Sequence, residues 1–600
     1  MSSAGNIARS TNKSTYNRYL LFVAGLGGLL YGVDVGIIAG ALPYLEATSK
    51  FDSAQLSFVV AAVLLGSVIA GLFAGILSDW IGRKKMMSIS GLLFVAGIPA
   101  IALSSGYTPL VIGRLLQGIS AGFIGVVVPL YLAECLSAEH RGKGTAIFQC
   151  LLTLGIVAAA AIGLYFSRGL EEIAKFGDAA QVLAYKEAAW RSIFWVSLPP
   201  GILFVIGSLF VAESPRWLFR QGKEDAARLA LFKSRTNEQV EIELQEMQAA
   251  AGREQVSAPG DRGMTKESLL HRKYVIPFLL ACVILACNQA TGVNSIIGYN
   301  TTILIQAGLG DQQAHIGYLM LTLVNFVVTI VGAALVDRLG RKLLLSLGSA
   351  GIIISLACTG FLFRQTERMQ VDCKAALQSI VTAAETLELK FDPQTMAHLL
   401  ALSDDGAQAI RDSRATLVVI YSYGDFHAAT AATRSDNPSA KPIAIARDDC
   451  VPANQVLARF SNPFGNLEAA RTAPLVIDHA LITPVPSERD GRLVAALLIV
   501  FMAFFAVGPG ICVWLALSEL MPTRIRSNGM SIALLINQAV STGIAAVFLP
   551  AVGKYGYSSM FFLFAAATCV YFITATFFLP ETKGKTLEEI EGYFAGRAET

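Results

Sequence analysis

At 600 residues, with 54% hydrophobic and 15% charged side chains and a mean hydropathy of +0.55, the chain holds more apolar sequence than a soluble core can bury. A net charge of +3 is too small to argue for nucleic acid, and no basic tract suggests it. The composition is that of a polytopic membrane protein. Nine cysteines show no metal-ligand spacing, and seven of them (Cys135, Cys150, Cys282, Cys287, Cys358, Cys512 and Cys569) lie in or beside apolar segments as small packing residues. The first 17 residues are polar and no cleavage site follows the first apolar run, so that run is expected to be a retained helix.

Apolar segments long enough to span a bilayer lie near 19–43, 56–78, 86–104, 108–133, 145–166, 190–212, 274–306, 315–336, 343–363, 492–517, 528–550 and 557–579. They predict twelve helices. Alternate short loops are basic (Arg83, Lys84, Lys85; Arg141, Lys143; Arg341, Lys342; Arg524, Arg526), which puts them and both termini in the cytoplasm and the protein in the cell membrane.

The first helix carries Gly28, Gly32, Gly36 and Gly40 at a spacing of four, a stripe that lets another backbone approach closely. Asp34 lies roughly opposite. A carboxylate at mid-span costs about 2.5 to 3.5 kcal/mol on insertion scales, so it should face a cavity, a partner or a proton. Its expected partner is Arg114 in the fourth helix. The pair could be purely structural, or a proton-coupling device in which protonation answers to what Arg114 touches.

Between the second and third helices runs Asp79-Trp80-Ile81-Gly82-Arg83-Lys84, and 258 residues later Asp337-Arg338-Leu339-Gly340-Arg341-Lys342 occupies the same place between the eighth and ninth. A repeated loop at corresponding positions divides the chain into two related halves. Glycine permits the tight turn, Asp can cap a helix, and the basic pair marks the cytoplasmic face. This D-x-x-G-R-K pattern resembles the signature loop of the major facilitator superfamily. The resemblance implies an all-α membrane fold of twelve helices in two six-helix halves, working by alternating access.

Further motifs narrow the resemblance. Gly113-Arg114 through Gly118, Pro129 through Glu134 followed by Arg141-Gly142, Glu213-Ser214-Pro215-Arg216 with Ala212 in place of a first proline, and Pro580-Glu581-Thr582-Lys583-Gly584 are similar to patterns of the sugar porter family. What that family implies is a proton-coupled symporter of a sugar or polyol, with a uniporter or a non-transporting nutrient receptor as alternatives. No nucleophile-base pair or metal cluster argues for an enzyme. The expected partners are the substrate, protons and lipid, with no cofactor, no metal and a monomeric chain. The loop residues Asp79, Arg83, Glu134, Arg141, Glu213, Arg216, Asp337, Arg341, Glu519 and Arg526 are expected to form a cytoplasmic gate.

Residues 214–273 carry eleven Lys and Arg and read as short amphipathic helices on the cytoplasmic surface. The seventh helix holds Asn288, Gln289 and Asn294 around Gly292, where the helix can break. Amides suit a polyol because each offers a donor and an acceptor without charge. The family motif here is Q-Q-x-x-G-x-N, with Asn288 replacing the first glutamine. The resemblance also assigns to substrate Gln149, Asn325, Trp514, Asn537 and its neighbour Gln538, which stands where a tryptophan is usual.

The departure in architecture is an extracytoplasmic insert at 365–491, with sixteen Asp and Glu against eleven Lys and Arg. It shows a strand-like run from Leu417 to Tyr421, a helical pattern near 374–389, and Cys373 and Cys450, which could form a disulfide. A small ordered domain and a partly disordered loop are both consistent with it. The expected organisation is a cytoplasmic N-terminus (1–18), a first half (19–212), a linker (213–273), helices seven to nine (274–364), the insert, helices ten to twelve (492–579) and a cytoplasmic tail (580–600).

Overall fold

The computed structural model describes residues 2–136, 138–256, 271–402, 414–430, 432–436, 442–455, 458–459, 462–521, 525–581, 583 and 587–594. The side chains of Arg141, Asp337, Trp514, Glu519 and Arg526, all expected site residues, lie outside the described residues.

Among the described residues, eleven helices are long and apolar enough to cross a membrane. One of them, Ile532–Phe578, is 47 residues long and breaks at Gly556, whose φ of 80° and ψ of 163° are not helical. The eleven therefore make the twelve expected crossings. The first half comprises α1 (Ser2–Thr48), α2 (Ser53–Ile81), α3 (Arg83–Ala102), α4 (Tyr107–Cys135), α5 (Ala138–Phe176) and a sixth span of α6 (Ala179–Trp195) and α7 (Leu198–Phe210). The fifth and sixth spans run about ten residues past their expected ends, because charged positions such as Glu171, Lys175 and Lys186 continue the helices beyond the apolar windows.

The glycine stripe of α1 does what its spacing predicts. A Cβ at Gly28 or Gly32 would strike the backbone of Phe148 or Leu152 on α5, and one at Gly40 would sit 3.0 Å from the Cα of Gly163. Only hydrogen side chains let these two helices pack so closely.

The linker forms the expected amphipathic helices α8 (Pro215–Arg220), α9 (Glu224–Phe232) and α10 (Asn237–Val256), which bury Leu231, Val240 and Leu244 against each other. Arg235 fastens them to the first half by donating to the Cys135 carbonyl at 2.6 Å while pairing with Glu243 at 2.6 Å.

In the second half the seventh span is broken into α11 (Arg272–Ala290), α12 (Val293–Gly298) and α13 (Asn300–Gln306). It is followed by α14 (Asp311–Leu339) and α15 (Arg341–Glu367) and, after the insert, by α16 (Glu488–Val507), α17 (Pro509–Leu520) and α18 (Arg526–Ile573). The halves meet along α2 against α18 and α5 against α14.

The described residues of the insert form two small sheets, and here the all-α expectation stops at the membrane bundle. Strand β3 (Ala415–Tyr423) pairs antiparallel with β4 (Phe426–Ala429), β5 (Thr433–Arg434) and β7 (Leu475–Pro484), which in turn pairs with β1 (Val371–Asp372). A second small sheet joins β2 (Leu387–Leu389) to β6 (Ile443–Ile445). Its own core includes Leu399, Leu417, Val419, Ile477 and Ile482. The helix expected near 374–389 covers only Lys374–Ser379, because Glu385 takes a φ of 57° in a turn closed by Thr382 and Thr386, and the chain then enters β2.

Cys373 and Cys450 are not bridged to each other. Cys373 is buried, and the Cys450 thiol donates to the Phe426 carbonyl at 3.1 Å, with burial pushing it up to about 11 so that it stays protonated near neutrality.

Candidate functional site

Three constellations stand in the bundle, one at the repeated loops and one within each half. On the side that carries the repeated loops, Gly82 and Gly340 have φ of 100° and 89°, a region that favours glycine, which explains the glycine in both motifs. In the first copy Arg83 is 1% exposed and grips Glu134 with two hydrogen bonds, Nε to Oε2 at 2.9 Å and Nη2 to Oε1 at 3.0 Å, while Asp79 lies 2.7 Å from Nη2. Ser214 also donates to Glu134.

Glu213 receives the backbone N–H groups of Arg83 and Lys84 at 2.9 and 3.0 Å and so caps the start of α3. Asp79, expected to be able to cap, instead ends α2 and pairs with Arg83. Arg216 is exposed. In the second copy Glu581 takes Glu213's place, accepting the N–H groups of Arg341 and Lys342 at 3.1 and 3.2 Å. Glu581 was missed as a loop partner, yet its signal was present: Pro580-Glu581 ends the second half just as Glu213 ends the first. All these contacts lie within a half. The described gate contacts therefore brace each half in this conformation.

At mid-membrane in the first half, Asp34 and Arg114 come together as expected. They are 0% and 1% exposed, with Arg114 Nη1 3.6 Å from Asp34 Oδ1. That distance is an ion pair without a hydrogen bond. Arg114 spends its donors elsewhere, giving Nη1 to Gln117 Oε1 at 2.9 Å and Nε to the Val59 carbonyl at 3.5 Å. Its guanidinium also lies 5.6 Å from the centroid of the Phe194 ring. Neither oxygen of Asp34 has a hydrogen-bond partner among the described residues. A buried carboxylate left in this state is ready to accept a proton or a donor.

In the second half, Gly292 adopts a φ of 80° and ends α11 two residues before α12 resumes the span. The break sets three of the expected amides against each other. Gln289 Nε2 donates to Asn537 Oδ1 at 3.2 Å, and Asn294 Nδ2 donates to Gln289 Oε1 at 3.0 Å and to Ser541 Oγ at 2.7 Å. Asn537 Nδ2 donates in turn to the Leu285 carbonyl at 2.9 Å. Ser541 was missed, although it stands one turn beyond Asn537 on the same face.

Asn288 is 2% exposed and its Oδ1 has no partner among the described residues; Asn325 is buried on α14, Gln538 is half-buried and Gln149 is exposed on α5. Gln289, Asn294 and Asn537 are thus one network, and the other expected amides are not hydrogen-bonded into it. The cluster is neutral, and its donors and acceptors can be exchanged for hydroxyls.

On the insert side the halves are joined. Tyr318 donates to the Gly36 carbonyl at 2.9 Å, the Ser57 hydroxyl receives the Leu549 N–H at 3.0 Å, Tyr44 donates to Asp311 at 3.1 Å, and Thr301 donates to the Ala39 carbonyl. Ser53 reaches the insert itself through the Ala429 carbonyl at 2.8 Å. These hydrogen bonds between the halves all lie on this side. They close the molecule toward the insert.

The sequence matches the family described as "Sugar (and other) transporter" over residues 20–384 and 475–594, the two stretches on either side of most of the insert. It is 31% identical to the glucose transporter GlcP of Staphylococcus epidermidis over 343 residues, which is 57% of this chain and 71% of that protein. The galactose-proton symporter of Escherichia coli is 26% identical over 593 residues, 98% of this chain and 97% of the relative. The fold is that of the inward-open xylose transporter XylE of E. coli, at a TM-score of 0.60 and 21% identity over 96% of this chain and 98% of that one. The chain belongs to the sugar transporter family, the sugar porters of the major facilitator superfamily.

Proposed function

We propose that this protein carries a monosaccharide or polyol together with a proton into the cytoplasm, with Asp34 and Arg114 as the coupling pair and the Gln289, Asn294 and Asn537 cluster as the centre of the sugar site. The observation that carries the reading is the division between the halves. A buried carboxylate whose oxygens lack hydrogen-bond partners among the described residues stands in one. A neutral amide network at a helix break stands in the other.

Relatives named as galactose-proton and proton myo-inositol cotransporters support the same chemistry. Gln149, Asn288, Asn325, Trp514 and Gln538 complete the site as it closes around substrate. The basic loops and both termini face the cytoplasm, the insert faces outward, and the chain acts as a monomer in the cell membrane. In that orientation the joined insert side supports reading this conformation as inward-facing.

The test is uptake into proteoliposomes of labelled glucose, galactose, xylose and myo-inositol, with and without an inward proton gradient. Gradient-driven accumulation of at least one is expected. Equal equilibration under both conditions for every transported compound would make the protein a uniporter.

A further inference from the structure

The closed insert side contains a buried histidine that neither the coupling pair nor the sugar site uses. His315, on the first turns of α14, is 0% exposed and packs into the opposite half. Its Nδ1 lies 2.9 Å from the Asp311 carbonyl oxygen and 3.6 Å from Asp311 Oδ2, and its Nε2 lies 3.4 Å from the Gly40 carbonyl of α1. A neutral imidazole has one donor and one acceptor nitrogen, so it would turn a lone pair toward one of these oxygens. Only the imidazolium donates to both.

The surroundings are fitted to the ring. Tyr44 stacks on it at 5.7 Å with an interplanar angle of 17°, and Gly163 of α5 leaves room where a Cβ would come within 3.1 Å of His315 Cδ2. Asp311 ties the same point together by accepting from Tyr44 of α1 and Ser167 of α5.

We propose that His315 is a positioning residue of the transport cycle that takes up a proton as the insert side closes, its imidazolium bridging Asp311 on its own helix to the Gly40 carbonyl of the other half. A cleft of about 780 Å³ between the insert and the bundle reaches Asp311, so the proton enters from that side. It returns to the same side on reopening, so His315 adds a pH dependence to closure without adding to the coupled charge. The other groups facing the site are Tyr185 and Lys186 of α6, and along the cleft stand Glu46 of α1, Lys50, Asp52, Glu388, Tyr421, Arg434, Asp436 and Asp449. Lys186 opposes a second cation there, and the Asp311 carboxylate offsets it. The proposal rests on the alternating-access reading above.

Lys50 and Gly310 line the cleft from opposite halves, and a Cβ at Gly310 meets nothing within 4 Å. Spin labels on Lys50→Cys and Gly310→Cys, in full-length protein whose nine native cysteines are replaced, report closure as a distance at about pH 5.5 and about pH 8. The expected result is a larger closed fraction at the lower pH. His315→Gln should abolish that pH dependence and lower the closed-to-open ratio at about pH 5.5 by roughly tenfold, the loss of a charge-assisted hydrogen bond. Tyr44→Phe, which leaves the titrating ring in place, should lower the ratio equally at both pH values.

His315→Gln keeping the parent's pH dependence would overturn the proposal. Should that variant not fold, 15N-histidine NMR of the parent at about pH 5.5 reads the ring directly, and a neutral His315 in the closed state would overturn it equally. The distances are measured without substrate or gradient. Loss of proton-driven uptake with normal distances would therefore strike the symport reading and leave this one standing.

Discussion

The two halves share an architecture and a loop motif, yet they bury different chemistry. The first half holds charge: Asp34 with Arg114 at mid-membrane, and Arg83 clamped between Glu134 and Asp79 at the loop. In the second, the amides of α11, α12 and α18 hydrogen-bond to one another, and Glu581 caps backbone N–H groups at the loop. A buried ion suits a site that must change protonation, because its free energy depends steeply on charge. A neutral amide suits one that must exchange hydroxyls, because little is lost when a hydrogen bond is traded for another. The repeated loop gives the two halves a common frame, and the side chains they bury differ in charge.

The largest expected effect tests the charged half. Glu134→Ala leaves the Arg83 guanidinium buried without its bidentate partner and should cost about 3 to 5 kcal/mol, read as a fall in the unfolding midpoint of purified protein. A loss under about 1 kcal/mol would mean the surviving Asp79 contact suffices.

Next is Asp34→Asn. One proton moving inward under 100 mV contributes about 2.3 kcal/mol, so the variant should lose about fifty-fold accumulation while retaining exchange of labelled for unlabelled sugar. Undiminished accumulation would remove Asp34 as the coupling group.

In the neutral half, Gln289→Ala should weaken substrate affinity by about 1 to 2 kcal/mol, or roughly five- to thirty-fold. Accumulation at saturating substrate should be preserved. Unchanged affinity for every transported sugar would take Gln289 out of the site.

The smallest effect sharpens the comparison of the loops. Glu581→Ala removes a cap from neutral N–H groups and should cost about 1 kcal/mol, well below Glu134→Ala in the same unfolding measurement. Equal losses at the two loops would mean that the second copy also clamps a buried charge.

Much of this was legible because membrane crossing imposes it. Twelve apolar runs, the basic loops and the glycine stripe of α1 follow from the bilayer's thickness and the need to satisfy every backbone group within a helix. The break at Gly292 was legible too, since polar amides flanked the glycine. The insert was not, since outside the membrane no such constraint acts. Its long strand β7 alternates Leu475 and Ile477 inward with Val476 outward, a signal too short to stand out, and its partner β3 was seen only in part.

By itself the sequence determined that this chain crosses a membrane in two related halves and places a carboxylate, an arginine and a set of amides at mid-span, because those follow from hydropathy, spacing and residue chemistry. Only the tertiary structure decided which of them meet. Hydrogen-bond partners depend on how helices from distant parts of the chain cross. Arg114 could have clamped Asp34 and instead stands 3.6 Å away with its donors turned to Gln117 and Val59. Likewise Glu581 and Ser541 enter their sites, and His315 reaches Gly40, through contacts spanning between roughly two hundred and three hundred residues of sequence, which no local pattern records.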